Sequence, residues 1–485
     1  MAPHAPRRGF AWGAALWLLA GCTPLQYQPR PLEPGPAAQA YAARTLGDPG
    51  LRDYLAAQGS AVQPWPPAQW DLAALSLASV YWHPEVALAQ ARLAVAVAET
   101  ATSRTRQPYT LTARPEYNGK ASAGEKPWGL GVLVGLPVDL GNKRAARTAQ
   151  LERQQEAAEL EVAAAAWRVR SRLRRHFVEF YVAERTVQAL AAEQRSRESL
   201  VALAERREQA GWSAPADTAA ARARSAEGEV ALARARLRRE QALAGVAEAA
   251  GVPLDALRRE RLDFSALEAP VAPPADDALR RAALLNRIDL RRKLADYAVA
   301  EAALKLEVAR QYPDITLVPG YFWDADEAIW SLAALGLVPA QARTRALVRE
   351  AEARREAEQR AFLALQAAVI SEAAGASARY RGAWETLGAA RLQIHTARAR
   401  HAHVARQFER GHADRMELEQ SQLDALVAER GAVVAMLETQ QGLSALEDAL
   451  QRPLDNPDLA AAAPAQPGVP PAADPALNPA LLDND

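Results

Sequence analysis

Two stretches of the chain alternate apolar residues with polar or small ones, and each is followed by a much longer stretch of helical character. In the first, Tyr109, Leu111, Ala113, Pro115 and Tyr117 alternate with Thr110, Thr112, Arg114, Glu116 and Asn118. After a polar loop, Trp128, Leu130, Val132, Val134 and Leu136 alternate with Gly129, Gly131, Leu133 and Gly135. This period of two predicts strands over about 109–118 and 128–138. Ile315, Leu317, Pro319, Tyr321 and Trp323 repeat the pattern before an acidic turn, and Trp330, Leu332 and Ala334 begin a return strand. The second pair is therefore expected over about 314–323 and 329–338. Strands of about ten residues are long enough to cross a hydrocarbon layer when tilted. Apolar-out, polar-or-small-in alternation around a polar hairpin is the signature of a membrane β-barrel. Tyr117, Trp128, Tyr321, Trp323 and Trp330 fall near the hairpin tips, where amphipathic rings favour a membrane interface.

Between Arg144 and Ala210 there is neither proline nor glycine, and between Gln341 and Arg410 there are only Gly375, Gly382 and Gly388. Helices over about 142–210 and 341–410 would each span roughly 100 Å, too long to fold inside one globule. Such rods must find partners along their length. Gly211 and Gly411 then punctuate the pattern, with return helices expected over about 216–250 and 415–451. The chain thus repeats itself at a spacing of about 200 residues, a duplicated domain-sized unit rather than a solenoid of small repeats. Gln107-Pro108-Tyr109 answers Tyr312-Pro313-Asp314, and Pro253-Leu254-Asp255 answers Pro453-Leu454-Asp455. The first unit is placed at 69–255, a linker at 256–275 and the second unit at 276–455. A Pro-rich stretch at 22–68 reads as an extended tether. The Ala- and Pro-rich end, 456–485, reads as a disordered tail.

Composition adds two constraints. Lys and Arg total 58, as do Asp and Glu, so overall charge points to no nucleic-acid partner. The single cysteine, Cys22, follows Arg7 and Arg8, an apolar run from Phe10 to Ala20, and Leu19-Ala20-Gly21. That run is short for a bilayer span and reads as a secretory signal peptide over 1–21. Leu-Ala-Gly-Cys resembles a bacterial lipobox, which implies a lipid anchor such as palmitate on Cys22. Thr23 in the next position implies sorting to the outer membrane.

Four membrane-length strands cannot seal a barrel, and an open edge in lipid strands backbone groups at several kcal/mol each. Barrels begin at about eight strands, so the chain must assemble with itself. The residues alone leave two copies or three open. The order of these elements resembles the TolC-like outer-membrane efflux factors over roughly Asp71 to Leu454. The resemblance rests on Trp70-Asp71-Leu72 through His83-Pro84-Glu85, Leu136-Pro137 with Asn142-Lys143-Arg144, Asn286-Arg287-Ile288-Asp289-Leu290, and Met416-Glu417-Leu418 after Gly411. It implies a mainly α fold with membrane β, closing as a homotrimer with a twelve-stranded barrel above a periplasmic α-barrel. It also implies a passive exit duct for small molecules or metal ions. A periplasmic adaptor and an inner-membrane pump would dock at the helical tips marked by Gly211 and Gly411. Within the family, the lipoprotein and heavy-metal (CzcC-type) branch is the nearer one.

In that family acidic residues near the second tip narrow the pore. Glu417 falls on one such position, the next is occupied by Gln420, and Asp414 lies beside them. His395, His401 and His403 suggest metal, but residues two apart on a helix face different ways. No nucleophile elbow, phosphate loop or Cys/His metal spacing is present, so neither an enzyme nor a cofactor is expected. Two alternatives stand beside the efflux duct: an exit duct for secreted protein, and a periplasmic coiled-coil scaffold with soluble hairpins.

Overall fold

A computed structural model describes residues 27–454, apart from 61–62, 120–126, 276–278, 280, 282–283, 285–286, 325–326 and 338. The expected signal peptide, Cys22 and the tail 456–485 lie outside the described residues. Contacts divide the chain at Arg44. In the first unit, helix α1 (Pro34–Ala42) buries no residue, and Arg44 stacks 5.2 Å from the ring centroid of Tyr41.

The second unit begins where the sequence pointed to an extended tether, and there the expectation fails. Helix α2 (Pro49–Ala57) is capped by Asp48, whose Oδ1 accepts from the Leu51 N–H at 3.0 Å. Leu46, Leu51 and Leu55 are fully buried in the main core. Pro34 and Pro49 start helices rather than extend the chain, because the first helical turn needs no backbone N–H and proline presets its φ. The proposed linker at 256–275 is likewise packed: Leu257 and Leu267 are buried in the same core, and Trp70 bridges to Leu262.

Helix α3 (Leu72–Trp82) is capped by Asp71, and α4 (Pro84–Arg104) begins at His83-Pro84. Arg168 and Arg172 of the next helix hold Glu85 at 2.6 and 3.1 Å, clamping the start of α4. Strands β1 (Thr110–Tyr117) and β2 (Trp128–Val138) lead into α5 (Lys143–Gln209). Asp139 caps that helix, accepting from the N–H groups of Lys143 and Arg144 at 3.0 Å each. Helix α6 (Pro215–Ala250) returns along α5, and two single turns follow, α7 (Leu254–Leu257) and α8 (Ser265–Glu268). The second repeat runs α9 (Ile288–Ala309), β3 (Asp314–Asp324), β4 (Glu327–Leu337), α10 (Gln341–Glu409) and α11 (Arg415–Leu450).

The duplication is written into the cores. Leu243, Val246, Ala249 and Ala250 of α6 are buried in one cluster, and Leu443, Leu446, Ala449 and Leu450 of α11 hold the matching places in the other. Gly251 closes α6 with a φ of 73°. Its counterpart, Gln451, takes a φ of 47°, and its Oε1 accepts from the Ile288 N–H at 2.6 Å. That hydrogen bond offsets part of the cost of the left-handed backbone.

Candidate duct surfaces and helical tips

All four strands form one antiparallel sheet in the order β1-β2-β3-β4. Pairing of Val132 with Tyr321 and of Leu136 with Leu317 joins the two hairpins directly. Where the strands meet the helices, Lys143 Nζ lies 2.5 Å from Asp314 of the other repeat. Antiparallel register puts Leu111, Ala113, Pro115 and Tyr117 opposite Val134, Val132, Leu130 and Trp128 on one face. The same face continues through Tyr321 and Trp323 to Trp330 and Leu332. It is solvent-exposed, with Leu111 at 74% and Trp330 at 80%. Edge strands β1 and β4 pair on one side only among the described residues.

The opposite face carries Thr110, Thr112, Arg114 and Glu116 beside the glycines of β2. A Cβ at Gly131 would sit 2.3 Å from the ring of Phe322, so that glycine gives the ring its place against the backbone. Tyr117, Trp128, Tyr321, Trp323 and Trp330 all lie on this apolar face, Trp323 partly buried. Tyr117 packs against Trp128 at 4.8 Å between ring centroids, and Tyr321 against Trp330 at 4.9 Å. The first pair ends its ladder at the hairpin tip, and the second lies three residue pairs short of the Asp324–Glu327 end.

The far ends of the long helices are two tight turns. Gly211 and Gly411 both have a φ of 75°, and nothing lies within 4 Å of a Cβ at either, so backbone conformation alone demands glycine. The two turns differ afterwards. In the first, Asp217 accepts from the Ala214 N–H at 3.2 Å, while the alanine supplies no reciprocal acceptor. In the second the reciprocal pair is complete: Asp414 Oδ1 accepts from the Glu417 N–H at 2.9 Å, and Glu417 accepts from the Asp414 N–H at 3.2 Å. This capping box satisfies two otherwise unpaired donors. Asp414 Oδ2 also meets Arg207 of the first turn at 2.7 Å. The Glu417 backbone N–H, aided by Arg207 against some burial, holds the Asp414 carboxyl below its usual pKa range.

Glu417 and Gln420, both exposed, lie one helical turn apart on α11. Gln420 donates to Asp424 at 3.0 Å and lines a groove between α5, α6 and α11. Glu419 is buried and paired with Arg415 at 2.7 Å, and Asp424 meets Arg400 at 3.1 Å. His401 hydrogen-bonds Ser421 at 2.9 Å, and His395 and His403 are exposed. Among the described residues no three His, Cys, Asp or Glu side chains gather so as to hold a metal.

Sequence reasoning missed the seam between α5 and α11, which joins the two repeats by polar contacts. Ser171 donates to Asp448 at 2.7 Å, and Arg174 meets the buried Glu447 at 3.2 Å. Lower down, the fully buried Glu193 receives Arg430 at 2.6 Å and Arg197 at 2.9 Å. Only the Glu193–Arg197 spacing of four was visible as a helical pair.

The second unit thus combines long paired helices with one small antiparallel sheet. In sequence, residues 77–252 match the family described as outer membrane efflux protein, while no curated protein matches the chain. In structure the chain is similar to the outer membrane protein VceC of Vibrio cholerae, with a TM-score of 0.63 and 17% identity over 78% of this chain and 95% of that one. It is similar also to the outer-membrane channel OprN, with a TM-score of 0.62 and 19% identity over 88% and 98% of the two chains. CusC, described for its transmembrane channel formation, matches at 0.62 and 15% over 80% and 95%. The fold is that of the TolC-like outer-membrane efflux factors, and the first repeat carries that family's sequence pattern.

Proposed function

We propose that the chain is the outer-membrane exit duct of a tripartite efflux system, passively conducting small molecules or metal ions delivered by a periplasmic adaptor and an inner-membrane pump. The carrying observation is a four-stranded sheet with an exposed apolar face and, among the described residues, no partner on either edge. Such a sheet is untenable alone in either water or lipid. Three copies would close it into a twelve-stranded barrel, with the apolar face and its aromatic tips toward lipid. The same closure would cover Leu363, Ile370 and Leu392, which α10 leaves exposed. Cys22 would carry the lipid that holds each copy to the membrane.

At the far end, the turns at Gly211 and Gly411 present the docking surface. Glu417 and Gln420 narrow the opening from α11, and the Arg207–Asp414 pair ties the two tips while the duct is shut. A soluble scaffold would have no use for the outward apolar face, which favours the duct over that alternative. The test is single-channel recording of the purified full chain in planar bilayers. Wild-type protein should pass current that external divalent cations block, and Glu417→Ala should weaken that block. Unchanged conductance and unchanged block in Glu417→Ala would remove Glu417 from the constriction, and absence of current under any condition would remove the duct.

A further inference from the structure

The groove that Gln420 borders occupies 1440 Å³ along the lower half of the first helical hairpin. Its charge is uneven. Arg197 on α5, Arg224, Arg234 and Arg238 on α6, and Arg430 on α11 line a continuous stretch in which Glu227 is the one lining carboxylate. The other acidic groups, Glu179 and Glu248, lie at the opposite end, and His176 beside them contacts Glu179 at 3.0 Å. Buried Glu193 lies beneath and is committed to Arg197 and Arg430. The three α6 arginines are exposed, and each lacks a hydrogen bond or ion pair to any described residue. Arg234 and Arg238 are one turn apart, and Arg224 lies about 15 Å further along the same face.

Unpaired guanidinium groups in a concave wall are placed to receive anions. They bind carboxylate and phosphate bidentately and stay charged at every accessible pH. Screening confines their field to about 8 Å at physiological salt, so only solutes moving along the wall would feel it. From this we infer that the groove is a binding track for solutes with two or more negative charges, held by Arg224, Arg234 and Arg238. The inference deepens the duct reading and rests on it: with this wall turned to the lumen, the track repeated in each copy would bias passage toward anionic cargo.

Pyranine, a fluorescent trisulfonate, is a suitable probe. Its anisotropy is measured with the full-length protein in detergent, for wild type, for the triple variant Arg224→Gln/Arg234→Gln/Arg238→Gln, and for Arg236→Gln. The last removes an exposed arginine of the same helix outside the groove. Wild type should bind more weakly as salt rises. The triple variant should lose about tenfold or more in affinity, and Arg236→Gln should match wild type. No binding by wild type, or equal binding by wild type and triple variant, overturns the track, as does an equal loss in Arg236→Gln. Reversal potentials in a salt gradient separate the two claims. Pyranine binding without any current would sink the duct but leave the track. Current with no anion preference, unchanged in the triple variant, would sink the track but leave the duct.

Discussion

Glu193 offers the sharpest test of how the two repeats are held together. Its side chain is 0% exposed, with Arg430 at 2.6 Å across the α5–α11 seam and Arg197 at 2.9 Å on its own helix. Arg430→Met removes the partner on the other repeat and leaves a buried carboxylate with Arg197 alone. Breaking a fully buried pair from one side costs about 3–5 kcal/mol. Arg197 remains, and Arg430 is 35% exposed, so about 2–4 kcal/mol is expected here. Adding Glu193→Gln removes the stranded charge while keeping an acceptor for Arg197. The double variant should therefore be more stable than the single one, since uncharged replacements of buried pairs are often close to neutral. Local opening is read by hydrogen exchange at the amides of α5 and α11 that flank these residues. The single variant should exchange about 30- to 1000-fold faster than wild type, and the double variant should recover most of that protection. Equal exchange in the two variants, or faster exchange in the double, would refute the idea that a buried carboxylate pins this seam.

Two other expectations follow from the sheet and the tips. Leu111→Lys places a charge on the apolar face and should cost about 2–4 kcal/mol at the middle of a bilayer, abolishing the heat-sensitive oligomer on a gel. Thr112→Lys, on the opposite face, should leave the oligomer intact, and equal sensitivity at both positions would mean that this face does not meet lipid. The folded-state pKa of Asp414 is depressed, so its tie to Arg207 is complete above the ordinary carboxyl range and is lost as pH falls through the lowered value. Channel conductance should therefore rise only in acid below the ordinary carboxyl range. Arg207→Ala should already show the raised conductance at pH 7 and lose the acid limb, with a stability cost of only about 0.2–1 kcal/mol because the pair is exposed. Identical pH profiles for the two proteins would separate Arg207 from the tip's closure.

Sequence by itself determined what depends on local periodicity. Alternation at period two fixed the strands and the faces of Tyr117, Trp128 and Trp330, since neighbouring residues in a strand must point oppositely. Long stretches without proline, the first also without glycine, required the rods, and Gly211 and Gly411 ended them because left-handed turns favour glycine. Tertiary structure alone decided what joins segments far apart in the chain. The prolines at 34 and 49 begin helices, and Leu46, Leu51 and Leu55 complete a core whose other half lies on α5 and α6. Asp414 reads in sequence only as an acid beside the pore positions, yet it caps α11 and holds Arg207 across a separation of 207 residues. Glu193 and Arg430 are 237 residues apart, and the α6 arginines share one groove with α11. No local pattern encodes such pairings, because the order in which helices pack side by side is set by the whole chain's closure.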